Sequence, residues 1–249
     1  KLFAHAHGND LSTLFRLPEW RKRYVDYKDC QGLIVVNEVM RERLMSIGIP
    51  DEKIHNIPYG VEVADAYPEK PSTETFRWLA VGRMVGKKAP LKTLKAFRIA
   101  LSRQADIHLD FVGEGPLLVE ALSYVRQHSL EMNVTLHGGQ RHDVVNSLIA
   151  QSHAFVQHSV VDPVTGDEEG MPVAIREAMG QALPVVSTRH AGIPRAVSHG
   201  HTGFLVDEGD VEGMAKHMIE LAGTKELWQS MSHAAWEQAK QQFTWEKER

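Results

Sequence analysis

The chain has 249 residues, 43% hydrophobic and 24% charged, which is enough apolar material for one large core or two modest ones and excludes a disordered or fibrous class. A formal net charge of −4 argues against a general nucleic-acid binder, which would be clearly basic. The single Cys30 excludes an intramolecular disulfide and fits a reducing compartment, and no run approaches the ~18 consecutive apolar residues of a membrane-crossing helix, so a cytoplasmic location is expected.

In chain order, residues 2–6 read as a strand, followed by a turn at His7-Gly-Asn-Asp10, a helical region to about residue 29 and a buried strand over 32–36. His5 is expected at the core or its edge. A helix over 39–47 stops at Gly48, and residues 70–75 have linker composition. From Phe76 the alternation is regular: strands over 78–81, 108–112, 134–137 and 154–157, with helices over 90–103, 117–128 and 144–151 between them. Strands spaced by helices of this length predict a parallel sheet covered on both faces. A further helix, strands over 184–188 and 202–206, and a last helix over 225–241 complete the pattern; Phe243-Thr-Trp245 follows it. The opening in a strand and the missing initiator Met suggest that an earlier part of a longer protein is absent.

The most informative stretch runs from Glu169 through Gly170, Met171 and Pro172 to Glu177. Pro172 suits the first helical position, leaving the Gly170 and Met171 amides at a helix N-terminus, where anions are stabilised. Glu177 then lies about 7.5 Å along the axis, within reach of a hydroxylated group while the helix end faces phosphate. Glu169 stays in the loop, free to meet a second hydroxylated ring. Gly82-Arg83 and Lys88 follow the first strand of the regular part, so both cations emerge at the carboxyl end of a parallel strand, where they suit a diphosphate leaving group. Lys87 reads as solvated. Gly113 opens a tight turn that leaves room for a nucleotide, without the third glycine of a dinucleotide fingerprint, and Gly138 ends another strand. The 14 histidines show no ligand spacing with a carboxylate or thiol on one helical face, so no metal is expected. The cations and aromatics over 15–24 fit a solvated helix or a membrane-surface one.

The whole segment 169–206 resembles the donor-binding signature of retaining glycosyltransferases of the GT-B fold, in the family 4 group that includes bacterial exopolysaccharide and lipopolysaccharide enzymes. The resemblance implies an α/β architecture of two Rossmann-like domains facing a cleft, the N-terminal one incomplete. Residues 1–69 would be the partial acceptor-side domain and linker, and 70–249 the donor-binding domain with a crossover helix at its end. It implies a nucleotide diphosphate sugar as donor, with UDP favoured over GDP, a glycan or lipid-linked oligosaccharide as acceptor, and no cofactor or metal. Arg83 and Lys88 would hold the diphosphate, Glu169 the sugar and Glu177 the ribose. His7 would meet the donor sugar and Asp10 the acceptor region, with a peripheral contact at the inner membrane face as a further expectation. The chain departs from the family at Asn37, Ala89, His158 and Arg195, the last of which puts a question over charge near the donor pocket. A non-catalytic nucleotide-sugar-binding fragment, a nucleotide-sugar epimerase and a phosphorylase remain as alternatives.

Overall fold

A computed structural model describes residues 2–6, 8–57, 59–104 and 106–244. Two parallel sheets organise them. The larger is built from β4 (Phe76–Val81), β5 (Ile107–Val112), β6 (Val134–Gly138), β7 (Ala154–Gln157), β8 (Val185–Thr188) and β9 (Gly203–Val206), in the order β6-β5-β4-β7-β8-β9. The chain starts at the centre, winds outward to β6, then crosses back to lay β7 against the other side of β4. Winding reverses between β4 and β7, and ligands of open parallel sheets bind in the crevice at the carboxyl ends of such a pair.

Helices cover both faces. One face packs α3 (Pro90–Leu101), α4 (Leu118–Gln127) and α8 (Val211–Gly223) over Trp78, Ala80, Leu109 and Val186. The opposite face packs α5 (His142–Gln151), α6 (Val173–Gly180) and α9 (Lys225–Gln242) over Leu79, Phe155 and Val185. Trp78 and Ala80 thus point one way and Leu79 the other, as the two-residue period of a strand requires. Because both faces are dry, β7, β8 and β9 are buried at every position, including the polar Gln157, Ser187 and Thr188 at the carboxyl ends of β7 and β8.

The smaller sheet is β1 (Phe3–His5), β2 (Gly32–Val35) and β3 (Ile54–Asn56), parallel in that order, flanked by α1 (Pro18–Asp26) and α2 (Glu38–Ser46). Its Leu33 and Val35, with Met40 and Leu44 of α2, join Ile175, Met179 and Ala239 in one continuous cluster. The two sheets therefore share a dry seam through α6 and α9. His5 is exposed, with its ring 5.8 Å from that of Tyr59.

Helix α9 returns along residues 59–67. The Val61 amide donates to the Phe243 carbonyl (2.8 Å), Trp236 Nε1 to the Ala64 carbonyl (2.8 Å) and Lys240 Nζ to the Asp65 carbonyl (3.0 Å). Phe243 is buried under the Arg176 guanidinium, 4.4 Å from its ring centre; Trp245 lies outside the described residues. Residues 70–75 form neither strand nor helix, and Pro71 is fixed by His153, whose Nε2 lies 3.0 Å from its carbonyl. No helix among the described residues is long and apolar enough to cross a membrane.

Candidate active site

Three glycines stand at the carboxyl edge of adjacent strands. Gly82 follows β4, Gly113 follows β5 and Gly138 ends β6; the Gly82 amide donates to the Val112 carbonyl (3.0 Å) and the Gly113 amide to the Gly138 carbonyl (2.8 Å). Gly113 has φ +153°, and a Cβ there would stand 1.9 Å from the Gly82 carbonyl oxygen, so only glycine lets these turns nest. At Gly82 a Cβ would press on Lys88 Cδ and Cε at 3.3 Å: the missing side chain is the channel along which the lysine stem runs.

Lys88 crosses the point where winding reverses. It leaves the turn after β4 and places Nζ 3.2 Å from Gln157 Oε1, at the end of β7, and 3.2 Å from Glu169 Oε2. Glu169 is 7% exposed and its other oxygen, Oε1, has no hydrogen-bond partner among the described residues. Burial pushes the Lys88 ammonium down from its ordinary value, and the Glu169 charge opposes that. A buried carboxylate with one oxygen held by a lysine and the other enclosed without a partner keeps an unspent acceptor, which a hydroxyl brought against it would satisfy. Arg83 stands exposed beside Gly82 at the same edge.

Helix α6 begins at Val173. Pro172 is the N-cap, with φ −70° and ψ 110°, and so lies one position earlier than the first helical residue expected of it: the extended ψ keeps it outside the helix. Among the described residues, no acceptor faces the Gly170 or Met171 amide. The Gly170 carbonyl points the other way, where Asn37 Nδ2 donates to it (2.6 Å) while Asn37 Oδ1 caps α2 at the Met40 amide (2.9 Å). Gly8 lies against this segment: a Cβ on it would come within 3.2 Å of the Glu168 carbonyl and 3.3 Å of the Gly170 nitrogen. His7 lies outside the described residues.

Glu177, one turn into α6, lines a cavity of about 420 Å³ with Tyr59, Glu62, His142, Asn146 and Gln181. Burial raises its pKa above the ordinary carboxylate value, with a further contribution from Glu62 that His142 opposes. Asp10 lines a different cavity, of about 190 Å³, with Trp20, Tyr24 and Tyr27; its carbonyl accepts from Tyr24 Oη (2.8 Å). Lys88 and Glu169 are thus brought together, while Glu177 and Asp10 each line a separate cavity that neither of them reaches.

Several partners carry no sequence signal. Lys87, expected in solvent, pairs with Asp167 (2.9 Å) and donates to the Glu168 carbonyl (3.2 Å), because the acidic loop folds back over its turn. Arg43 of α2 holds both Glu168 oxygens (3.0 and 2.7 Å) and Ser12 Oγ donates to Asp167 (2.9 Å), so the smaller sheet grips the loop that carries Glu169. Arg195 reaches Glu38 (3.3 Å) and lines a cavity with Val36, Met171 and Arg176, so its charge is met by the smaller sheet's helix.

The family profile of the glycosyl transferases group 1 matches residues 75–224. The amylovoran biosynthesis glycosyltransferase AmsK of Erwinia amylovora is 30% identical over 224 residues, which span 87% of this chain and 54% of AmsK. This chain therefore covers about half the length of that relative. The crystal structure of Anabaena Alr3699/HepE in complex with UDP and glucose superposes with a TM-score of 0.81 at 19% identity, over 98% of this chain and 67% of that one. A point mutant of S. aureus TarM in complex with Fondaparinux, alpha-GlcNAc-glycerol and UDP gives 0.81 at 18% identity, over 99% and 48%. The arrangement of sheets is that of the GT-B fold.

Proposed function

The chain belongs to the glycosyl transferases group 1 family, and from that premise we propose that it moves a hexose from a nucleotide diphosphate sugar to a glycan or lipid-linked acceptor in exopolysaccharide assembly, with retention of anomeric configuration. The observation that carries this reading is the Glu169 carboxylate, buried at the point where the sheet reverses its winding, with one oxygen on Lys88 and the other buried without a partner among the described residues.

In the proposed reaction the diphosphate lies between Arg83, Lys88 and the Gly170 and Met171 amides, and the ribose hydroxyls meet Glu177 in its cavity. As the bond from the sugar carbon to the phosphate oxygen breaks, charge grows on that oxygen, and the fixed cations and the helix end stabilise it without a metal. The acceptor hydroxyl adds from the same face, its proton passing to the departing phosphate oxygen, while Glu169 holds the donor sugar's hydroxyls. UDP is favoured over GDP as the carrier. Cytoplasmic placement and a peripheral membrane contact through α1, where Arg23 stacks on Trp20, belong to the same proposal.

The test is a calorimetric titration with UDP, GDP and ADP and their hexose conjugates, with Glu177→Ala as control. Binding of one nucleotide that the substitution weakens supports the reading; no binding to any of them overturns it for this chain.

A further inference from the structure

The loop between β7 and α6 carries Glu169, and both of its ends are tied to one side chain that lies outside it. Glu208, just past β9, accepts from the Val161 amide through Oε2 (3.0 Å) and faces His190 Nδ1 through Oε1 (2.5 Å). His190, just past β8, is 2% exposed, and its Nε2 lies 3.1 Å from the Glu169 amide. A backbone amide can only donate, so His190 Nε2 carries the lone pair; Nδ1 then carries the proton that Glu208 accepts. The main chain of His190 is fixed as well, its amide donating to the Thr188 carbonyl (2.8 Å) and its carbonyl accepting from Ile193 (3.0 Å).

We propose that His190, oriented by Glu208, is a positioning residue: it holds the Glu169 backbone so that one carboxylate oxygen stays on Lys88 and the other stays turned toward the donor sugar. This rests on the donor-site reading above. The imidazole acts through the main chain of Glu169, and the Glu177 cavity is lined by other elements. Losing the imidazole leaves a buried amide without an acceptor and frees the loop. The sugar end of the site is then damaged and the nucleotide end is spared.

Two measurements separate this inference from the reading beneath it. First, ¹⁵N spectra of histidine-labelled protein should show His190 with a pyrrole-type Nδ1 and a pyridine-type Nε2; the opposite tautomer overturns the inference whether or not any nucleotide binds. Second, UDP and UDP-glucose, with GDP and GDP-mannose as the second pair, are titrated into wild type, His190→Ala and His190→Gln. Expected is a loss of about tenfold in affinity for the sugar conjugate in His190→Ala, with the bare nucleotide unaffected, and recovery in His190→Gln, whose amide oxygen can replace Nε2 as acceptor. Equal losses for nucleotide and conjugate, or no loss, overturn it. Glu208→Ala keeps the imidazole but removes its orientation, so it must show the same selective loss if His190→Ala does not fold; unchanged affinity in Glu208→Ala overturns the inference. Failure of wild type to bind any of the four ligands counts against the donor-site reading, and the tautomer still decides the placement of His190.

Discussion

Lys88 and Glu169 are a buried ion pair, 3.2 Å apart, whose partners arrive from opposite sides of the point where the larger sheet reverses its winding. Taking one charge away strands the other in a dry environment, whereas taking both away does not. Lys88→Met is expected to cost about 3 kcal/mol of stability. The double substitution with Glu169→Gln should recover most of that loss while leaving donor binding impaired. Urea denaturation of the four proteins of this cycle measures the coupling, and simple additivity of the two single losses would sink the idea.

Glu177→Ala should weaken nucleotide binding by ~1.5–3 kcal/mol, the range for a hydrogen bond to a charged group. Its raised pKa adds a pH signature. Burial lifts the carboxyl above 4.5, so this group's contribution to stability is present at low pH and fades as pH rises through the raised value. In the proposed reaction ribose recognition needs the ionised form and runs the other way. Nucleotide affinity should fall on acidification at a pH higher than an ordinary carboxylate would give, and Glu177→Gln should remove that component; identical pH profiles for the two proteins would contradict it.

His158 is fully buried, accepts from the Gly209 amide at Nε2 (2.9 Å), and burial near Lys92 pushes it down to about 4 from 6.5. The folded protein binds this proton less readily than the unfolded chain. Stability from this group is therefore complete above pH 6.5 and is lost as pH falls toward 4, by about 3 kcal/mol. Chemical denaturation across that window should show a shallower acid loss for His158→Gln than for wild type; parallel curves would refute the assignment.

Ala89 has φ 38° and ψ 54°, a left-handed conformation at the N-cap of α3 that favours glycine. Ala89→Gly should raise stability by about 0.5–1 kcal/mol without changing nucleotide affinity. Gly113→Ala should do the reverse, costing at least about 2 kcal/mol, because the new Cβ would collide with the Gly82 carbonyl oxygen. Melting temperatures that move in the other direction at either site would show the turn to be differently built.

The parallel sheet was legible because short strands rich in β-branched and aromatic residues are separated by helical lengths, and the start of α6 was legible to within one residue because Pro172 marks it. Other features needed three dimensions. The sequence reading assigns no helix over 211–223, since Gly209 and Gly213 mask its start, although Asp210 caps it at the Gly213 amide and Met214, Met218 and Leu221 form its buried stripe. Lys87 looked solvated because its partner Asp167 is far along the chain. Nothing in the sequence singles out His190 or Glu208: each follows a different strand, and only the adjacency of β8 and β9 brings Glu208 to the imidazole that meets the Glu169 amide. Arg195 could be placed only once Glu38, from the smaller sheet, was seen to receive it.

A sheet that begins at its centre has a consequence for assembly. During synthesis β4, β5 and β6 emerge first and can pair with one another, presenting Arg83 and Lys88 with nothing opposite them. The remaining face of the crevice awaits β7 and the loop beyond it, a long-range closure of the kind that slows folding. A chain released before Glu169 would hold the cations alone, a patch of positive charge with affinity for phosphates but no means of telling a sugar-bearing nucleotide from any other polyanion.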